Sequence, residues 1–340
     1  MIRVSYWQFR LPLYVALAGL VVVAATAGAT GPSLAHLYDT TVGTCTPTHG
    51  GCADALVLFN NQDVLLRAVV QTLSLALPAI IGMFWGAPLV ARELETGTFR
   101  LAWTQSRSRL TWFAGKLIVV GLSALAVQGL LSLALTWWWS PVERANPTRF
   151  SPAVFGTFGV APLGYVLFAL ALGIAVGTVF RRTLPAMAVT LVGFAGVRLA
   201  VSLWIRPHFA AAVRSVVSLN QSSDIGVGFL GHAQMGLRYY PPDLPNAWLL
   251  SSTVTNAAGQ RTSGTVLSQQ CPSLIQAGAG RGNMDQAINS CTATLSKTFH
   301  DTLLYQPASR YWPFQWAELG LFAALAALLL VFTAWRLRRQ

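Results

Sequence analysis

Six runs of mostly apolar residues leave this chain few ways to fold. They cover residues 11–28, 68–90, 117–138, 155–180, 184–205 and 314–335. A helix needs about 20 such residues to cross the hydrocarbon core of a bilayer. Inside that core only a helix or a closed barrel satisfies its own backbone polar groups. The runs are continuous rather than alternating, so they predict helices. Composition agrees: only 10% of the residues are charged and 54% are hydrophobic, against about 25% charged in an average soluble domain. The expected fold is an all-α polytopic membrane protein with six transmembrane helices. The first run has a second reading, because Arg3 and Arg10 precede it and Ala25-Thr26-Ala27 resembles a signal-peptide cleavage site. A retained helix is preferred, since the later spans then fall into register.

Charge sets the orientation. The net charge is +12, but the cations sit in short loops and tails rather than on one face. That distribution argues against nucleic-acid binding and fits the excess of Lys and Arg in cytoplasmic loops. The N-terminus, the 86–116 loop, the Arg181-Arg182 turn and the C-terminal tail hold twelve of the 23 Lys and Arg. Both termini are therefore expected in the cytoplasm, in a multi-pass protein of the cell membrane. Arg198 lies within a run, where a charge is by default a functional candidate. Its distance from Arg182, about 24 Å along a helix, puts it where its stem could instead snorkel to the outer interface. Gln71 and Gln128 are polar groups at membrane depth, candidates for a substrate path or a helix contact. Gly82 and Gly86 form a small-xxx-small pair that lets another helix approach, within the monomer or across a dimer.

Residues 31–67, 140–152 and 207–313 are expected outside the cytoplasm, and the first and last are the longer polar stretches. They hold all four cysteines. Thiols there tend to oxidise. The expected pairs are Cys45 with Cys52 and Cys271 with Cys291, although four cysteines allow three connectivities. No metal site is expected, because neither pair of cysteines has the close C-x-x-C spacing of a zinc site. Residues 207–313 are long enough for a small extracytoplasmic domain between helices 5 and 6. The chain thus divides into 1–206 (helices 1–5 with a cytoplasmic loop at 91–116), 207–313, and 314–340 (helix 6 and a tail).

Catalytic motifs are missing. No GxxxxGK[ST], HExxH or GxSxG is present. Gly226 to Gly231 fits GxGxxG, but without the surrounding strand–turn–helix unit. The chain is expected to hold no cofactor and to be no enzyme.

The 86–116 loop carries the clearest motif. Between two spans stand Arg92-Glu93, Glu95, Gly97-Thr98, Ser108-Arg109 and Gly115-Lys116, with Phe99, Arg100, Leu101 and Trp103 forming a short amphipathic cluster. This pattern resembles the loop between the second and third helices of type-2 ATP-binding-cassette (ABC) exporter permeases. The likeness continues in Gly173 to Pro185, Val197-Arg198, Arg206-Pro207-His208 and Tyr305 to Trp316. Many members have Thr-Pro after the short helix; here Thr104-Gln105 stands instead. The resemblance implies the type-2 ABC exporter permease fold and a membrane subunit that exports a drug-like, antibiotic or lipid substrate. It implies a separate ABC ATPase in two copies, which would hold ATP and Mg, and a second permease copy or a related permease. Arg92, Glu93, Glu95, Gly97, Phe99, Arg100, Leu101 and Trp103 would couple to the ATPase. The reading from another class is a membrane-anchored receptor or interaction protein whose extracytoplasmic domain binds a ligand.

Overall fold

The computed structural model of the chain describes residues 2–45, 51–96, 109–218, 224–229, 235–240, 244, 246–262, 270–273, 276 and 283–339. The chain divides into two compact units, Met1–Phe209 with Tyr311–Gln340, and Ala210–Arg310.

The first unit is helical. Among the described residues, six helices are long and apolar enough to cross a membrane: Arg10–Val42, Val64–Thr96, Thr111–Ala145, Ala161–Phe180, Thr183–His208 and Ala308–Arg339. They are called spans 1 to 6 below. The protein is a multi-pass membrane protein, and Leu122, Leu133, Leu184, Val192 and Leu328 lie on outward faces that suit lipid. Span 1 continues well past the apolar run, and the hydroxyls of Thr26 and Thr30 are satisfied within the helix on the carbonyls of Val23 and Thr26. The Trp138 indole N–H reaches Thr30 Oγ1 at 2.9 Å and ties span 3 to span 1.

Span 3 does not end at its three tryptophans. The helix runs on to Ala145. Helical geometry sends the three rings in different directions: Trp137 is exposed, while Trp138 enters the core. The three rings therefore do not share one outward face. Span 2 survives Pro78 and Pro88 by changing pitch. A π-helical turn occupies Gly82–Gly86, and the Ala87 N–H reaches back five residues to Gly82 O.

Span 4 is the axis of this unit. Two thirds of its apolar window is buried (67%), more than in any other span. Glycines make the close approach possible. A methyl added at Gly82 would sit 2.5 Å from Ala169 O, and one at Gly86 would sit 2.7 Å from Leu170 O. On the other side, methyls at Gly173 and Gly177 would meet the backbone of Gly82, Gly86 and Ala87. The Gly82/Gly86 pair thus serves a contact inside the chain, backbone against backbone, with span 4.

The second unit, by itself, holds the β-structure found among the described residues. Strands β1 (Val213–Ser218), β5 (Phe299–Gln306) and β4 (Trp248–Asn256) form an antiparallel sheet with β5 in the centre. Strands β2 (Asp224–Phe229) and β3 (Met235–Tyr240) pair separately. A helix, Met284–Leu295, carries Cys291, bonded to Cys271 with the Cα atoms 5.3 Å apart. Both cysteines are buried. The other disulfide, Cys45–Cys52, has Cα atoms 5.5 Å apart and belongs to the first unit. The chain is mostly helical, as its apolar runs require, but 210–310 is a mixed α/β unit.

Candidate functional site

Two places in the first unit concentrate polar chemistry. One lies where span 2 ends and spans 3 and 5 begin. The other is buried between spans 4, 5 and 6.

At the first place, span 2 ends with two carboxylates. Glu93 pairs with Lys116 of span 3, whose ammonium also lies 4.6 Å from the centre of the Trp112 ring. Glu95 Oε2 accepts the backbone N–H of Thr183 at 3.0 Å and its hydroxyl at 2.8 Å. Thr183 is the first residue of span 5, and the preceding Arg182 supplies no side-chain cap. An arginine has no acceptor to offer its helix N-terminus. Glu95 gives one from another helix, and a carboxylate there also complements the helix dipole. The turn feeding span 5 is tight because Arg181 takes the left-handed conformation (φ 54°). Arg92 is exposed on the last turns of span 2. Gly97, Phe99, Arg100, Leu101 and Trp103 lie outside the described residues.

The second place was only partly visible in the sequence. Arg206 Nε donates to Glu318 Oε2 at 2.7 Å and its Nη2 to Glu318 Oε1 at 2.8 Å. This bidentate pair is 1% exposed on the arginine and 1% on the glutamate. The Tyr165 hydroxyl adds a 2.6 Å bond to Glu318 Oε1. Arg198 completes the cluster. It does not snorkel outward: its Nη1 donates to Leu75 O of span 2 at 2.7 Å, and its guanidinium lies 4.6 Å from the Tyr165 ring centre. Gly156 makes room, since a methyl there would collide with Arg198 Nη2. A π-helical turn, Val201–Ile205, precedes Arg206 and changes the phase at which its side chain leaves span 5.

Beside this cluster Gln315 of span 6 caps span 4. Its Oε1 accepts the N–H groups of Val160 and Ala161 at 3.1 and 2.8 Å, and its Nε2 donates to Phe155 O at 2.9 Å. Gly159 at φ 78° lets the chain turn there, and a methyl on it would lie 2.7 Å from Gln315 Oε1.

Of the residues singled out from sequence, Arg198 joins this cluster, Gln71 is half-buried on span 2, and Gln128 is fully buried on span 3. The Gln128 amide has no hydrogen-bond partner among the described residues. Tyr165, Glu318, Gln315 and Thr183 were missed. Glu318 did leave a signal, as the sole carboxylate in span 6.

No curated protein and no solved structure matches the chain. Residues 17–206 match a family model described as ABC-2 membrane transporter related. The match takes in Glu93, Glu95, Tyr165, Arg198 and Arg206 and covers more than half of the sequence. The chain belongs to the ABC-2 membrane transporter related family.

Proposed function

We infer that the chain is the membrane-spanning permease subunit of an ABC transporter, itself non-catalytic, working with a separate ATPase. The family match across spans 1 to 5 carries this reading. The sequence has no phosphate-binding loop of its own, so ATP and Mg belong to the partner. The 97–105 segment is the docking element in this reading, flanked by Glu93–Lys116 and Glu95–Thr183. A push on that segment would reach spans 2, 3 and 5 together. Two copies of the ATPase and a second permease complete the transporter, and export of a drug-like, antibiotic or lipid substrate is its activity.

Two experiments test the reading. Phe99→Ala with Trp103→Ala is expected to leave an inserted permease whose ATPase binds more weakly. Each apolar anchor contributes about 1–3 kcal/mol by analogy with interface hot spots. Co-purification of the ATPase and transport per permease should both fall, with Gln340→Ala as the silent control. Wild-type association and transport in the double variant would remove the docking role and favour a receptor. Topology is checked by cysteine labelling, expected to place Gln105, Arg182 and the C-terminus inside and Gly50, Asn146 and Gln260 outside. Labelling of position 105 from the outside would reject this orientation.

A further inference from the structure

We propose that the cluster between spans 4, 5 and 6 seats the oxygen-bearing anionic head group, phosphate or carboxylate, of an amphiphile. This deepens the permease reading by naming a substrate class, and it starts from a charge count. Two guanidiniums, Arg198 and Arg206, share one carboxylate, Glu318, and a neutral phenol, Tyr165. Glu318 is already fully engaged: Oε2 by Arg206, Oε1 by Arg206 and Tyr165. The positive charge of Arg198 has no ion-pair partner among the described residues. Its contacts there are a carbonyl dipole at Leu75 and the face of Tyr165. Arg206 adds a second unused donor. Its Nη1 is buried and has no hydrogen-bond partner among the described residues, although the whole side chain is 1% exposed.

A net positive charge held inside an apolar region is costly unless an anion balances it. The same site offers guanidinium N–H groups, the donors that best match carboxylate and phosphate oxygens. Both guanidiniums meet at Tyr165, Arg198 over its ring and Arg206 Nη2 at 3.5 Å from its hydroxyl. The donors left for an oxyanion are the Arg198 guanidinium over this ring and Arg206 Nη1. The way in favours an amphiphile over a free anion. Arg198 is half-buried, and its helix neighbours Ala195 and Leu199 are exposed on a membrane span. A ligand coming from that side brings its apolar part through lipid and its head to Arg198.

The test uses the full-length permease purified in an uncharged maltoside detergent, without an ATPase. Its thermal midpoint is followed against dodecyl phosphate, inorganic phosphate and dodecyltrimethylammonium. Dodecyl phosphate is expected to raise the midpoint saturably, and the cationic amphiphile is not. Arg198→Gln keeps a donor for Leu75 but drops the charge, and should weaken the apparent affinity about tenfold, as loss of a charged hydrogen bond does. Arg198→Lys should recover part of it. Should Arg198→Gln lower the basal stability, displacement of a fluorescent anionic amphiphile from its monodisperse fraction gives the same comparison. Equal affinity in Arg198→Gln and wild type, or an equal response to the cationic amphiphile, would overturn the proposal. Inorganic phosphate matching dodecyl phosphate would overturn the amphiphile assignment and leave a soluble anion. Because no ATPase enters the assay, intact binding alongside failed ATPase co-purification would count against the transporter reading alone.

Discussion

Glu318→Ala is expected to remove most of the folded protein, at a cost of about 3–5 kcal/mol, the usual result of breaking a buried ion pair from one side. The reason is what stays behind. Arg206 would keep its charge, 1% exposed, with no carboxylate to meet it, beside an Arg198 that is already unbalanced. The Tyr165 hydroxyl would lose its acceptor as well. Glu318→Gln should fall between, since an amide still accepts but carries no charge. The informative variant is Arg206→Met with Glu318→Leu, which removes both charges and keeps the volume. Replacing both partners of a buried pair is often neutral or stabilising. The monodisperse fraction after extraction, and its thermal midpoint, should therefore drop in the single variant and recover in the double. A Glu318→Ala protein as stable as wild type would show that the pair holds nothing together.

Gly173→Leu should be at least as damaging. Overpacking among side chains costs about 1–3 kcal/mol because side chains can shift. Here the neighbours are main-chain atoms: Gly82 O, Ala87 N at 2.7 Å and Gly86 C at 3.0 Å from a methyl at this position. Backbone in a π-helical turn has little room to give, so spans 2 and 4 would have to separate. The expected cost is upward of about 3 kcal/mol, beyond the side-chain range, seen as aggregation on extraction. Gly196→Leu is the matched control, since a methyl there meets nothing within 4 Å. Equal behaviour of the two variants would refute the close-packing account.

These two sites mark where reading the sequence succeeds and where it stops. The six spans were legible because continuous hydrophobicity is a local property. Their ends were not, because the width of an apolar run reports the bilayer and not the helix. Span 3 accordingly overran Trp139, and span 4 began at Ala161, later than expected. Gly82 and Gly86 announced a close approach without naming the partner. Span 4 supplied it, with Gly173 and Gly177 on the opposing face. The charged cluster was the hardest part. Arg206 sat just past the end of an apolar run and carried only part of the family likeness, and Glu318 was one carboxylate more than a hundred residues away. Arg198 was left between a functional role and snorkelling to the outer interface, and a carbonyl on span 2 and an aromatic face on span 4 take its guanidinium. Only tertiary packing brings such groups together. The loop carboxylates were intermediate: Glu93 took a cation at the helix base, while Glu95 took a helix terminus that no local pattern announced.

Caps borrowed from other helices couple the fraying of spans 4 and 5 to their neighbours. A helix that carries its own cap can fray alone. Spans 4 and 5 borrow theirs: the acceptors for their first amides belong to Gln315 of span 6 and Glu95 of span 2. Opening the first turn of span 5 releases the exposed Glu95 carboxylate of span 2 to water, whereas opening that of span 4 strands the buried Gln315 amide of span 6. Local unfolding in such a bundle proceeds by cooperative groups rather than by single elements. In amide exchange the end of span 2 and the start of span 5 therefore form one such group, and the start of span 6 and the start of span 4 form another. The helices loosen as linked pairs, not as six separate rods.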